Sequence, residues 1–138
     1  PIRKSDFNLK AFIEQSGHNL SLQTNIKVTK AHAMGPLYKT SKKLKMVIKR
    51  WYVLDRNKET FSSYRDETCR NVKDVIPFQR IENVYIDDVP TNCTKLLKWS
   101  FCIKTTTSAH LLIAASSYLR QIWIDILMTA ITGYHDSS

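Results

Sequence analysis

Residues 34–55 read MGPLYKTSKKLKMVIKRWYVLD and contain two short apolar segments joined by a lysine-rich link. The apolar segments, residues 36–38 and 47–54, are predicted to be β-strands on the two sides of a hairpin loop. Six basic residues precede the first acid of this stretch, Asp55. They are Lys39, Lys42, Lys43, Lys45, Lys49 and Arg50. A basic loop between packed strands can collect phosphate oxygens on a rigid base, so residues 34–55, called here the basic hairpin, are the candidate functional site.

The positive charge of the chain is concentrated around this hairpin. The whole chain carries a formal net charge of +9. Residues 1–50 contain eleven Lys or Arg and two acids, whereas residues 51–138 contain ten of each sign. The excess therefore lies in the first third of the chain. It indicates an anionic partner for one face, which could be lipid headgroups, nucleic acid or an acidic protein.

Short strands continue on the carboxyl-terminal side of the hairpin. Segments of β-forming residues separated by polar turns occur at 60–64, 72–78, 81–86, 99–104 and 110–114. With the two strands of the hairpin, they predict seven strands. Pro77 favours a strand end or a sheet edge for the segment that contains it.

The hydrophobic period then changes from two residues to 3.6. Apolar residues at i, i+3, i+4, i+7, i+8, i+11 and i+12 are Leu119, Ile122, Trp123, Ile126, Leu127, Ala130 and Ile131. This stripe predicts an amphipathic helix with Ser116 or Ser117 as N-cap and Gly133 at its carboxyl-terminal stop. Together these elements predict an α+β fold, a seven-stranded antiparallel barrel or sandwich with the helix covering one open end.

The beginning of the chain has its own pattern. Ser5 and Asp6 are candidate caps of a short helix that ends near Gly17. One face of that helix holds Leu9, Phe12 and Ile13. Residues 20–29 place apolar side chains at even positions, which predicts an extended segment. Because this piece has too little apolar surface to fold alone, we expect it to pack on the domain that follows.

Length and composition fit one domain with one core, since the chain has 138 residues and 43% hydrophobic residues. We expect an N-terminal extension at 1–33, a domain at 34–133 and a polar tail at 134–138. No apolar run reaches the roughly 18 residues that a membrane span needs, and the start does not resemble a secretory signal. Because the chain begins with proline, we expect it to be part of a longer protein.

The sequence lacks the signals of an enzyme or a metal site. Its four histidines are scattered without metal-ligand spacing, and no glycine-rich phosphate loop or nucleophile elbow occurs. The three cysteines form no CxxC pair, which favours a reducing, cytosolic setting. We therefore expect no catalysis, no metal and no cofactor. Trp51, Trp99 and Trp123 are predicted to pack in the core, so nucleic-acid binding by base stacking is not expected.

Seven strands, a basic first hairpin, the sequence KRWYVLD at 49–55 and a final helix with one tryptophan together resemble a pleckstrin-homology (PH) domain. The resemblance covers residue 34 to about residue 133. It implies that Trp123 packs under the barrel and that the basic hairpin binds phosphoinositides or other anionic lipid headgroups.

A closer resemblance also includes part of the N-terminal segment. The sequences FIEQSGHNL, IKVTKAHAMGPLYK, KRWYVLDR, IPFQRIENVYID, FCIKT and IWIDILMTA are similar to the C-terminal region of the pleckstrin-homology-like domain family B proteins. These are cortical coiled-coil scaffolds whose terminal domain binds phosphoinositides. The resemblance implies a cytoplasmic module, peripheral at the plasma membrane or cell cortex, with protein partners belonging to a cortical scaffold.

The resemblance also suggests site residues. Members that bind 3-phosphoinositides tend to place a lysine at the end of the first strand, where this chain has Lys39. They place a basic-x-Arg pattern at the start of the second strand. Arg50 matches its arginine, whereas Ile48 stands where the basic residue should be.

Two further positions differ from that pattern. Ser41 and Lys42 occupy the loop where a glycine is common, and Ser63, followed by Tyr64, occupies the place of a phosphate-binding tyrosine. Arg65 is predicted to share a strand face with Ser63 and so to reach the site. The full set of predicted phosphoinositide-binding residues is Lys39, Lys42, Lys43, Lys45, Lys49, Arg50 and Arg65. The pattern favours general anion binding over stereospecific recognition, and a protein-interaction module with little or no lipid specificity remains the alternative.

Overall fold

The computed structural model of the chain describes residues 6–41, 46–86 and 98–136. Two α-helices and eight strands make up its regular structure. They are α1 (Leu9–Gln15), β1 (Lys27–Val28), β2 (His32–Ser41), β3 (Met46–Asp55), β4 (Thr60–Tyr64), β5 (Val72–Pro77), β6 (Ile81–Tyr85), β7 (Ser100–Thr105), β8 (Ala109–Ile113) and α2 (Ser117–Asp136). Short 3-10 turns occur at Leu20–Leu22 and Phe78–Arg80.

The strands form one antiparallel sheet in the order β5-β4-β3-β2-β8-β7-β6, and β1 pairs with β2 beside that path. The predicted α+β class, with an antiparallel sheet and a C-terminal helix, is confirmed. The strands from β4 to β8 each begin and end within one residue of their predicted bounds. The eighth strand, β1, comes from the segment in which sequence predicted only an extended chain.

The longest pairing is that of β2 with β3, which runs without a break from His32 opposite Asp55 to Ser41 opposite Met46. The basic hairpin therefore exists, and its first strand is longer than predicted. The apolar segment of this strand, residues 36–38, is short. The polar residues on either side continue the hydrogen-bonded pairing with β3, because backbone pairing does not depend on side-chain polarity.

The core lies between the sheet and α2. All seven residues of the predicted helix stripe are buried, and Trp123 is only 1% exposed, in agreement with the PH-like prediction. Its ring is 5.9 Å from that of Phe61, which stacks in turn on Tyr52 at 5.1 Å. Full burial of one such side chain stabilises the fold by about 1.5–3 kcal/mol, so this aromatic cluster joins helix and sheet firmly.

The start of α2 agrees with the sequence, whereas its end does not. The hydroxyl oxygen of Ser116 accepts a hydrogen bond from the Leu119 N–H at 3.1 Å, so Ser116 is the N-cap. The helix continues through Gly133 to Asp136, and the predicted stop at Gly133 was wrong. Glycine in a helix costs only about 1 kcal/mol relative to alanine, so it need not end one. Among the described residues, no helix is long and apolar enough to cross a bilayer.

The helix α1 begins later than predicted. Its N-cap is Asn8, whose side-chain oxygen accepts from the Ala11 N–H at 3.0 Å. Leu9 and Ile13 are completely buried, whereas Phe12 is 44% exposed. Gly17 follows the helix with a φ of 105°, the left-handed conformation expected of a glycine terminator.

The prediction of an extended segment at 20–29 was only partly right. Leu20, Ile26 and Val28 are buried, as their alternation suggests, but Leu22 is 73% exposed. The 3-10 turn at Leu20–Leu22 changes the direction of successive side chains, so the period of two residues starts only after the turn.

The residues just before β1 approach β2 closely. A Cβ atom on Gly35 of β2 would lie 2.6 Å from the carbonyl oxygen of Asn25, which shows how near the two backbones approach. β1 pairs with the beginning of β2, through Val28 opposite Ala33, whereas β8 pairs with the end of β2, through Lys39 opposite Leu112. One edge of β2 is thus shared by strands from the two ends of the chain.

Candidate functional site

The inner face of the basic hairpin carries two of its cations. Leu37 on β2 is completely buried and Tyr52 on β3 is 5% exposed, so both point into the core. Side chains alternate along a strand, which places Lys39 and Arg50 on the same inner face, nearer the loop. Leu37 lies opposite Arg50 and Lys39 opposite Ile48, so the two cations are diagonal neighbours, whose Cα atoms are typically about 7–8 Å apart.

A cavity of about 240 Å³ opens at this end of the sheet. Buried Phe61, Ile76 and Leu112 form apolar parts of its wall. Its polar side chains come from five different strands and are Lys39, Thr40, Tyr52, Ser63, Asp74 and His110. The cavity is slightly smaller than the range of about 300–1,000 Å³ usual for small-molecule pockets, so it fits one compact polar group.

Arg50 does not line this cavity, but its charge acts on Tyr52 in the cavity wall, and one of its donors is unsatisfied among the described residues. Its Nε atom is buried and has no hydrogen-bond partner among the described residues. One terminal nitrogen, Nη1, donates to the carbonyl oxygen of Lys49 at 3.2 Å. Buried polar atoms are normally hydrogen-bonded, and a guanidinium can hold a phosphate through two parallel hydrogen bonds. Arg50 therefore has donor capacity for an anion.

Tyr52 lies between opposite charges. Burial raises the pKa of its phenol, the nearby carboxylate of Asp74 raises it further, and the charge of Arg50 acts in the opposite direction. The phenol is consequently neutral at physiological pH and can donate one hydrogen bond. The cavity wall thus has a cation, Lys39, on β2 and a carboxylate, Asp74, on β5, and the charge of Arg50 on β3 acts on Tyr52 between them.

The remaining predicted site residues have different positions. Lys49 is exposed on the outer face of the hairpin, opposite Tyr38, because it alternates with Arg50. Arg65 is exposed just after β4, and its N–H donates to the Asn71 carbonyl at 3.0 Å, but its side chain does not line the cavity. Lys42, Lys43 and Lys45 lie outside the described residues.

Sequence reasoning missed four polar residues of this cavity, Thr40, Tyr52, Asp74 and His110, and the last two come from outside the hairpin. Asp74 is on β5, opposite Ser63 of β4, and His110 is near the start of β8. The alternation of apolar residues around Asp74 is irregular, and its position depends on a pairing that shifts register at Tyr64. No local pattern in the sequence therefore indicates that Asp74 and His110 face the basic hairpin.

The prediction that all three tryptophans are core residues was wrong for Trp51. Trp123 is buried and Trp99 packs partly on the core, but Trp51 is half-buried on the outer face of the sheet. It alternates with the buried Tyr52, so the two rings point to opposite faces. A cross-strand row of Pro36, Trp51 and Tyr64 forms an apolar surface there.

An antiparallel sheet with a C-terminal helix and a polar cavity beside a basic hairpin defines a small binding module. A family model described as PH domain matches residues 31–132, and the chain belongs to the PH-domain family. Such domains are generally non-catalytic. Within the described residues, no group of three or more His, Cys, Asp or Glu is placed to hold a metal ion.

Solved human PH domains have the same fold. The N-terminal PH domain of ARAP2 is 25% identical, with 78% of this chain and 84% of that chain covered and a TM-score of 0.60. The PH domain of TBC1 domain family member 2 is 21% identical, covering 76% and 84% with a TM-score of 0.63. The PH domain of oxysterol-binding protein-related protein 11 is 14% identical, covering 88% and 91% with a TM-score of 0.64.

Proposed function

We propose that this PH domain binds phosphoinositides or other anionic lipid headgroups at the inner face of the basic hairpin, through Lys39 and Arg50. PH domains are often used for membrane or lipid binding and for protein interaction. The observation that carries the proposal is the pair of cations on one face of the hairpin: Lys39 lines the polar cavity, and Arg50, its diagonal neighbour, is close enough for its charge to act on Tyr52 in the cavity wall. An anionic group in the cavity would be attracted by both charges.

The loop between β2 and β3 adds to this attraction. Lys42, Lys43 and Lys45 come between Ser41 and Met46 in the sequence, outside the described residues. Each lysine or arginine near an anionic bilayer contributes about 1 kcal/mol to binding. Lys49 is exposed on the outer face and adds to the field without entering the cavity. The basic hairpin would therefore bind a charged membrane surface as well as a single headgroup.

The cellular setting follows from the closer resemblance. Similarity to the pleckstrin-homology-like domain family B proteins supports a membrane-targeting module of a larger coiled-coil scaffold, cytoplasmic and peripheral at the plasma membrane or cell cortex. The domain would then locate the scaffold at anionic lipid while other parts bind protein partners. Nucleic acid is not an expected partner.

Liposome sedimentation tests the proposal. The double variant Lys39→Ala/Arg50→Ala should lose binding to vesicles that contain phosphoinositides, because both inner-face cations are gone. A matched variant, Lys58→Ala/Lys104→Ala, removes the same charge from exposed positions away from the cavity and should keep most of the binding. Binding should weaken with added salt, since salt screens exposed charges. Equal sedimentation of the two double variants would exclude the inner face as the lipid site.

A protein-interaction module is the second candidate, and the outer face supports it. The row of Pro36, Trp51 and Tyr64 presents apolar and aromatic side chains that are only half-buried. Aromatic residues of this kind are enriched at protein interfaces. A series of vesicles of equal charge distinguishes the two candidates. Binding that depends on phosphoinositide content supports the lipid module, whereas no response to any anionic lipid supports the protein-interaction module.

A further inference from the structure

The cavity beside the basic hairpin contains a carboxylate, which is unexpected in a site for phosphate. Asp74 lines it together with Lys39, Tyr52 and Ser63. Tyr52 pairs with Ser63, and Ser63 pairs with Asp74, so these three residues form a row across β3, β4 and β5. Neighbouring strands are about 4.8 Å apart, which puts the backbone of Asp74 about 10 Å from that of Tyr52, across the width of the cavity.

Asp74 makes no direct contact with a cation among the described residues. Its Oδ1 atom accepts a hydrogen bond from the Val75 N–H at 2.9 Å, and it forms no ion pair within the described part of the chain. The residue as a whole is exposed and also lines the cavity. The carboxylate of Asp74 raises the pKa of Tyr52 and the charge of Arg50 lowers it, so both charges lie near this one phenol in the cavity wall.

The two sides of the cavity therefore favour different chemical groups. Lys39 and Arg50 are donors without acceptor capacity, and they favour phosphate oxygens. An ionised carboxylate can only accept hydrogen bonds, so Asp74 favours hydroxyl groups and repels phosphate. A ligand that fills the cavity must have phosphate on one edge and free hydroxyl groups on the opposite edge.

Building on the lipid binding proposed above, we propose that Asp74 is a specificity-determining residue that restricts the cavity to sparsely phosphorylated inositol headgroups. The ring would place its phosphate toward Lys39 and Arg50 and its unmodified hydroxyl groups toward Asp74 and Ser63. A second or third phosphate on the β5 side would meet the carboxylate of Asp74. Highly phosphorylated headgroups would then bind less tightly than their charge predicts.

The substitution Asp74→Asn isolates this effect. Asparagine keeps a side-chain oxygen for the Val75 N–H, removes the negative charge and replaces the other carboxylate oxygen with an amide NH2 donor of similar size. The matched control is Glu82→Gln, which removes one negative charge from an exposed position on β6, where Glu82 lies 3.7 Å from Lys104. Both variants have the same net charge, so a difference between them reports the location of the charge and not its sum.

The measurement compares vesicles of equal total charge, in phosphatidylcholine with phosphatidylserine as the balancing lipid, that contain phosphatidylinositol monophosphate, bisphosphate or trisphosphate. For wild type, affinity should be highest for a monophosphate. Asp74→Asn should raise the ratio of trisphosphate to monophosphate affinity about tenfold, and Glu82→Gln should leave this ratio unchanged. Titration of the soluble inositol phosphates by calorimetry should give the same order, because the cavity would bind the headgroup itself.

Other results separate the two proposals. An unchanged ratio in Asp74→Asn, with binding still lost in Lys39→Ala/Arg50→Ala, would overturn the role of Asp74 and leave lipid binding intact. Absence of binding to every phosphoinositide by the wild-type chain would overturn both.

Discussion

His18 and Asp125 connect the first segment of the chain to the C-terminal helix. The Nε2 atom of His18 lies 2.6 Å from Oδ2 of Asp125, and its ring packs edge-on against Tyr118 at 5.7 Å between centroids. The other oxygen of Asp125 accepts from the Gln121 amide at 2.9 Å. This small polar cluster holds the residues before β1 against α2, and it lies outside the cavity beside the basic hairpin.

Removal of this contact should destabilise the fold without affecting lipid binding. We expect His18→Ala to lower the free energy of unfolding by about 1–3 kcal/mol, the usual cost of losing a hydrogen bond to a charged group. Urea denaturation measures this, with Glu14→Ala on the exposed face of α1 as the control. In a double-mutant cycle with Asp125→Asn, the two effects should not add. Strict additivity would mean that the two side chains do not interact.

The backbones of Gly35 and Asn25 approach so closely that position 35 should not accept a side chain. Gly35→Ala would put a methyl group 2.6 Å from the Asn25 carbonyl oxygen, a backbone atom that can move only if its chain segment moves. Overpacking of this kind costs about 1–3 kcal/mol. Gly17→Ala is the comparison, because no atom lies within 4 Å of its added methyl group and its φ is 105°. Its cost therefore comes from backbone strain, whereas the cost at Gly35 comes from overpacking. If urea denaturation shows Gly35→Ala to be as stable as wild type, the backbones of Gly35 and Asn25 can separate enough to accept a methyl group.

Tyr52 should limit stability at high pH. Burial raises the pKa of its phenol in the folded state, with Asp74 as a second cause. The unfolded chain therefore releases this proton first, so stability is complete below about pH 10 and falls as pH rises above it. A single such group contributes a slope of up to about 1.4 kcal/mol per pH unit.

The test compares Tyr52→Phe with wild type in urea denaturation between about pH 8 and pH 11. Tyr52→Phe should lose less stability over this range because it has no phenol to ionise. Tyr64→Phe, on the half-buried outer face, should behave as wild type. Parallel pH curves for wild type and Tyr52→Phe would show that this phenol ionises as easily in the folded state as in the unfolded state.

The sequence predicted the elements whose side chains follow a regular period. The stripe from Leu119 to Ile131 identified α2, because it results from one buried face, and the two β-forming segments on either side of a lysine-rich link identified the hairpin. The turn at Leu20–Leu22 has no such face, and its prediction as an extended chain failed. Trp51 was misplaced because hydrophobicity alone does not tell which of two adjacent aromatic residues points inward.

The candidate site could be predicted on one side only. Lys39 and Arg50 are neighbours within one hairpin, so charge and strand spacing were enough to bring them together. Asp74 and His110 approach them through strand pairings between distant parts of the chain, and one of these pairings contains a register shift. A single sequence does not reveal such a shift, which depends on the packing of the whole sheet.

The sharing of one β2 edge by β1 and β8 determines how the domain would respond to a pulling force. Tension applied just before β1 would reach β2 through the β1 pairs at Ala33 and Met34, far from the loop. The β8 pairs at Tyr38 and Lys39 would keep the loop end in register while the first pairs separate. Mechanical load and bound headgroup would thus act on opposite ends of the same strand.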